Sequence, residues 1–245
     1  MARRRVPRDP GAGRRLERRS IGASLLALAM LAPAMAGADD KRIDAPAFTA
    51  IEVSSDIAAV VHTGGAISVV AHGDAPGLAA LRTEVKDGIL RAWMETKALD
   101  AGKHRVTLDI GVAELGAMLA SGGASIDISN WTGEALSAEA DGGASITAHE
   151  ARGTAFVLRA NGGGSLVISG ACDSADASSS AGGRLDAVAL ACADVVARAT
   201  GGAALGIGAS RSVDAEASNG ASITVRGRPA RTHTVSKNGG SIRVE

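Results

Sequence analysis

The chain is poor in aromatic residues. It has no tyrosine, and its only Phe and Trp residues are Phe48, Trp93, Trp131 and Phe156. Single-stranded nucleic acids are held largely by stacking on such rings, so that class of partner is disfavoured. The aromatic walls of many carbohydrate clefts are lacking too. Cysteine is scarce, with Cys172 and Cys192 alone. The five histidines (62, 72, 104, 149 and 233) have no metal-type spacing, which disfavours a zinc site. There is no G-x-S-x-G, no P-loop and no catalytic-cysteine context. No motif calls for a cofactor. Formal charge cancels, with 26 basic and 26 acidic residues. Against these absences stand 32 glycines, 46% hydrophobic residues and a mean hydropathy of +0.14 over 245 residues. Such a chain is not wholly disordered and is long enough for one or two domains.

The zero net charge is an average over two unlike parts. Residues 1–20 carry eight arginines against Asp9 and Glu17, and residues 21–35 are apolar and free of charge. Ala34-Met35-Ala36-Gly37-Ala38 follows. A basic segment, an apolar segment and a small-residue site make a secretory signal peptide, expected to be cleaved after Ala36 or Ala38. The alternative, an uncleaved anchor, requires a longer apolar run than one that meets Pro33. Arg18-Arg19 leaves both general secretion and twin-arginine export open. Loss of residues 1–38 leaves 18 basic against 24 acidic residues, a net charge of −6. That disfavours nucleic acid and anionic membrane surfaces as partners. No transmembrane helix is expected in the mature chain.

The dominant feature is a repeat. Ser121-Gly-Gly-Ala-Ser-Ile126 recurs as Asp141–Ile146, Asn161–Leu166, Ser180–Leu185, Thr200–Leu205, Ser218–Ile223 and Lys237–Ile242. The anchoring aliphatics Ile126, Ile146, Leu166, Leu185, Leu205, Ile223 and Ile242 follow one another at steps of 20, 20, 19, 20, 18 and 19 residues. Alternation on either side of each glycine corner marks short strands with one buried face. Each unit reads as strand, glycine-rich corner, strand, looser corner. So short a unit cannot bury its apolar face alone, and stacking it gives a β-solenoid. The anchors form the core ladder. The corner glycines are Gly122, Gly123, Gly142, Gly143, Gly162, Gly163, Gly182, Gly183, Gly201, Gly202, Gly220, Gly239 and Gly240, expected to supply the positive φ of a sharp bend. The polar residue opening each corner is expected to bond turn amides.

Residues 39–119 are β-like but irregular. They read as a cap together with the first coils, continuous with the repeated coils of residues 120–245. Asp87-Gly88 signals a hairpin. At the other end Arg243 and Glu245 discourage edge pairing, or a second subunit covers that edge and makes a homo-oligomer. Cys172 and Cys192 each lie thirteen residues before an anchor. They therefore share a column on adjacent coils, within reach of a disulfide, for which export supplies the oxidising surroundings. The alternative is two free, buried thiols.

Parallel β-helices also host polysaccharide lyases and glycosidases, so carboxylate pairs matter. Asp127 and Asp186 are three coils apart, roughly 14 Å. Asp173 and Asp194 are expected near one another beside the cysteines, where solvated surface charge accounts for them better than catalysis does. Glu139 and Arg159 are column neighbours and read as a surface ion pair. Trp93 and Trp131 read as core residues closing the start of the solenoid, or as a ligand contact. No catalytic, cofactor-binding or metal-binding residue is assigned.

The repeats, with Phe48-x-x-Ile51-x-Val53, Val85-x-Asp87-Gly88-x-Leu90 and Asn238-Gly-Gly-Ser-Ile242, resemble the bacterial putative auto-transporter adhesin family, or head GIN domain, a domain of unknown function. The resemblance covers about residues 44–243. It implies an exported, right-handed parallel β-helix, and supplies no catalytic residues. An auto-transporter's membrane barrel of alternating strands is not read after the coils, so surface exposure would depend on another protein. The function expected is that of a non-enzymatic envelope protein, periplasmic or at the cell surface. It would act as an adhesin-like interaction or structural module toward an envelope protein or glycan. The alternative is a β-helix enzyme acting on envelope polysaccharide.

Overall fold

The structure is a computed structural model that describes residues 39–95 and 105–245. The leader expected over residues 1–38, and His104, lie outside them. Seventeen strands and one short helix are found among the described residues, arranged as a β-solenoid of about six turns.

The repeat builds its regular part. Strands β11 (Ser145–Ala160), β12 (Ser165–Ser180), β13 (Arg184–Thr200) and β14 (Ala204–Ser218) lie side by side in parallel. Each is 15–17 residues long because it follows two bends without losing its neighbours. A coil therefore has three runs: one after the glycine corner, a short middle one, and one leading into the next corner. Strands β8 (Ala117–Ser121), β9 (Ser125–Ser129) and β10 (Thr132–Ala140) continue the stack on one side. Strands β15 (Ser222–Arg226), β16 (Arg231–Lys237) and β17 (Ser241–Val244) continue it on the other.

Parallel register puts like on like. Ile126, Ile146, Leu166, Leu185, Leu205 and Ile223 stack in one column with at most 2% exposure, and partly buried Ile242 ends it. Burying each such side chain is worth about 1.5–3 kcal/mol. The run before the corner supplies small partners: Ala140, Ala160, Ser179, Ala199 and Ala217 form one column. Branched chains facing alanines fill a narrow interior at crystal-like density. Ser179 is the polar exception, and its buried hydroxyl donates to the Ala160 carbonyl at 3.2 Å.

At each corner two successive residues take positive φ, as at Gly142 (58°) and Gly143 (79°). In three corners the first of the pair is not glycine but Ala181, Asn219 or Asn238. Asparagine tolerates this conformation, whereas an alanine there costs about 1–2 kcal/mol. Gly183 and Gly240 correct the expectation for the corner set. They stand one place later, outside the positive-φ pair, where an added Cβ would lie 2.1 Å from the Ala160 carbonyl and 2.3 Å from that of Ala217. Their smallness matters for close approach, not for handedness of the bend.

The opposite end does not follow chain order. Strands β2 (Ala50–Ser54) and β3 (Ala58–Thr63) form the first coil met along the chain. That coil lies inside the stack, between β8–β9 on one side and β6 (Ile89–Met94) with β7 (Val106–Val112) on the other. The outermost coil is then closed by antiparallel strands. β4 (Ser68–Gly73) pairs with β7, β1 (Asp39–Ile43) with β4, and β5 (Leu81–Lys86) with β6. The β5–β6 hairpin turns on Asp87 and Gly88, both at positive φ. Helix α1 (Ala75–Ala80) joins β4 to β5, begins where the Asp74 carboxylate accepts the Gly77 N–H at 3.0 Å, and buries Leu78 and Ala80.

Candidate functional site

A groove of about 550 Å³ follows the bend between the middle run and the run before the corner. It touches five successive rungs, from residues 155–157 to residues 231–233, about 19 Å at the spacing of paired strands. The alternation of the strands decides its lining. Phe156, Ala175, Val195 and Val213 point inward and are buried. The next residue of each rung points outward, giving the column Val157, Asp176, Val196, Asp214 and His233. The preceding residue gives Ser174, Asp194, Ser212 and Arg231. Half-buried valines thus floor a groove whose sides are polar.

Each of its three carboxylates is matched by a base from a following rung. Asp176 accepts from Arg198 at 3.3 Å, and Asp214 faces Nδ1 of His233 at 2.9 Å. Asp194 accepts from Nε of Arg211 at 3.0 Å and from the Ser212 hydroxyl at 2.6 Å, and pairs with the Nη2 of Arg211 as well. The fork on Arg211, helped by Ser212, holds the Asp194 carboxyl well below its ordinary value of 3.8. The same contact raises the Arg211 guanidinium. A glycosidase acid must stay protonated near neutrality, and Asp194 is driven the other way. Asp173 is one residue off the Asp194 register and adds to the field on Arg211. The two form an arginine-centred surface cluster.

Other residues singled out from the sequence fall elsewhere. Cys172 and Cys192 are directly opposite on adjacent rungs, with Cα atoms 4.5 Å apart, and are joined as a disulfide. Asp127, Thr147, Val167 and Asp186 form one outward column, which keeps the two aspartates three rungs apart. Glu139 and Arg159 are register partners, but Glu139 accepts from the Asn161 amide at 3.3 Å. Corner residues are linked along the stack, Ser180 donating to Asn161 and Ser218 to Thr200. Trp131 is buried; its Nε1 donates to the Leu115 carbonyl at 2.8 Å and its ring meets Phe156 edge-on at 5.5 Å. Trp93 instead faces outward from β6 and is 36% exposed. His62 and His72 sit near Asp109 and Asp40. Among the described residues no three His, Cys, Asp or Glu converge on a point where a metal ion would sit. The groove itself was missed from the sequence, although Val157 and Val196, apolar at outward positions of otherwise polar alternation, mark its floor.

The family described as putative auto-transporter adhesin, head GIN domain, matches residues 47–229. The chain belongs to this family. No curated protein matches the chain. Among solved structures, the head GIN domain is similar to a putative adhesin from Bacteroides fragilis, with a TM-score of 0.77 and 20% identity over 85% of this chain and 97% of that one. A putative adhesin from Parabacteroides merdae follows at 0.63 and 17%, covering 85% and 96% of the two chains. A putative lipid binding protein from Parabacteroides distasonis stands at 0.63 and 14%, covering 85% and 97%. At these identities the likeness is one of fold.

Proposed function

We propose that this head GIN domain is an exported, non-enzymatic interaction module of the bacterial envelope that holds its partner along the valine-floored groove. One observation carries the reading: all three groove carboxylates are engaged in place, Asp176 and Asp194 by Arg198 and Arg211 and Asp214 by a contact with the His233 ring. That arrangement is an ordered polar wall, and Asp194, held ionised by Arg211 and Ser212, is not the protonated acid that glycosidic cleavage needs. Membership of an adhesin-named family agrees with it. Export rests on the leader of residues 1–38, and no helix among the described residues is long and apolar enough to cross a membrane. A lipid inside the solenoid is disfavoured by the filled core, since the facing columns of aliphatics and alanines leave those residues almost unexposed.

Retention on the washed envelope fraction of the source bacterium tests the reading. Native protein is expected to be retained, and Val157→Glu with Val196→Glu to be released with its circular dichroism unchanged. Equal retention of both would remove the groove from the interaction. Turnover of an envelope polysaccharide that disappears in Asp173→Asn with Asp194→Asn would establish an enzyme instead. N-terminal sequencing of the exported protein is expected to begin at Gly37 or Asp39.

A further inference from the structure

Charge is distributed unevenly along the stack. Residues 39–221 carry 13 basic and 23 acidic side chains, whereas residues 222–245 carry five basic and one acidic. Three of the five, Arg226, Arg228 and Arg231, fall within six residues, on the bend between β15 and β16. The bend is fixed in place. Gly227 has a φ of 117°, its N–H donates to the Glu245 carbonyl at 2.8 Å, and a Cβ there would lie 2.3 Å from the Ala209 carbonyl. All three arginines are exposed, and among the described residues none has a carboxylate within ion-pairing distance. Arg198 and Arg211, on the preceding rungs, are both paired. Arg231 also lines the groove, in register with Ser212 and two rungs beyond Asp194, whose carboxylate lies within its field.

We propose that this arginine bend receives the anionic groups of an acidic polysaccharide whose sugar chain runs into the adjoining groove. The inference rests on the groove reading above and names the class of partner. Three unpaired guanidiniums on a rigid bend suit carboxylate or sulfate groups, which arginine meets with two parallel hydrogen bonds. The groove next to them asks for something else. Its carboxylates accept hydrogen bonds from hydroxyls, and Val157 and Val196 offer apolar contact. A uronate polymer presents anion, hydroxyl and apolar ring face in one ligand. A nucleic acid would find no exposed Phe or Trp ring to stack on among the residues lining the groove. Without aromatic stacking the binding is mainly electrostatic, so it weakens as salt screens it.

Retention on immobilised polygalacturonate decides the matter. The full mature chain is expected to bind at low salt, to elute as salt is raised, and to ignore neutral dextran. Replacement of Arg226, Arg228 and Arg231 by Gln is expected to weaken binding at least about tenfold, as is Arg231→Glu to a smaller degree. Arg184→Gln, an exposed arginine on another face, is expected to leave it unchanged. Absence of binding, equal binding by the triple variant, or equal retention by dextran, duplex DNA or phosphatidylglycerol vesicles would overturn the proposal. Native protein that fails on polygalacturonate yet still holds the envelope fraction through Val157 and Val196 would sink this inference alone. Loss of both interactions would sink the groove reading with it.

Discussion

The coils from β10 to β15 and the closed end built from β1 to β7 solve the same problem differently. In the regular coils every rung finds its neighbour one repeat away, so Leu166 lies between Ile146 and Leu185. At the closed end Leu108 lies between Ala59, 49 residues earlier, and Ala71, which reaches it from an antiparallel strand. One region is held by similarity between neighbours, the other by pairings between unlike segments. The contrast shows that a repeat propagates a stack but does not terminate one.

The largest effect expected lies in the regular region. Gly170 has a φ of 134°, and a Cβ there would stand 1.9 Å from the Ala151 carbonyl. Gly170→Val is expected to cost about 4 kcal/mol or more, read as a lower midpoint in chemical denaturation; a shift under about 1 kcal/mol would mean that neighbouring rungs slide apart freely. Next comes a direct comparison of two fully buried leucines. Leu108→Ala is expected to cost about 4 kcal/mol and Leu166→Ala about 2–3, because alanines beside Leu108 cannot lean into the void as Ile146 and Leu185 can. The reverse order would break the distinction between the two regions. Replacing both Cys172 and Cys192 by serine is expected to cost up to about 3 kcal/mol, and dithiothreitol should lower native stability by the same amount while leaving the variant unmoved.

Two smaller effects sharpen the picture. Ala181→Gly is expected to stabilise by about 1 kcal/mol, by relieving a positive φ of 50° at a corner where most coils have glycine. Asp194→Asn tests the groove wall. The pKa of Asp194 is lower folded than unfolded. Its stabilising contribution is therefore present above the ordinary carboxylate range and lost as pH falls through and below it. The native-minus-variant difference in denaturation midpoint should thus shrink on acidification from pH 7; a gap that widens on acidification would contradict the Arg211 pairing.

What could be read from the sequence follows the same division. The spacing of the seven anchors specified the solenoid, the core column and the shared position of Cys172 and Cys192, because parallel stacking maps an equal spacing onto a common column. Asp87-Gly88 marked its hairpin. The middle run of each coil was harder to see: it is short, and its alternation is broken by register shifts, as between Ala148 and Ala151. Helix α1 had a signal that went unused, a capping Asp74 with Pro76 just inside the first turn. The placement of β2–β3 inside the stack left no local trace, since it depends on which segments pair across 30 to 70 residues. The groove was half legible. Its valines stood at outward positions, but its ion pairs run between rungs and appear only once register is known. Trp131 read as a core residue and is one, whereas Trp93 alternates to the outer face of β6.

The interior position of the first coil also bears on how the chain assembles as it emerges N-terminus first. When residues 50–63 appear, neither of their two partners exists yet. One arrives only with residues 89–112 and the other with residues 117–129. Roughly the first half of the chain must be present before that coil is paired on both sides, and closing such distant contacts is slow. Every later coil meets a finished template and needs only its own twenty residues. Assembly therefore has one costly beginning followed by inexpensive growth, and a chaperone that shields residues 50–129 would act at the step that limits the whole.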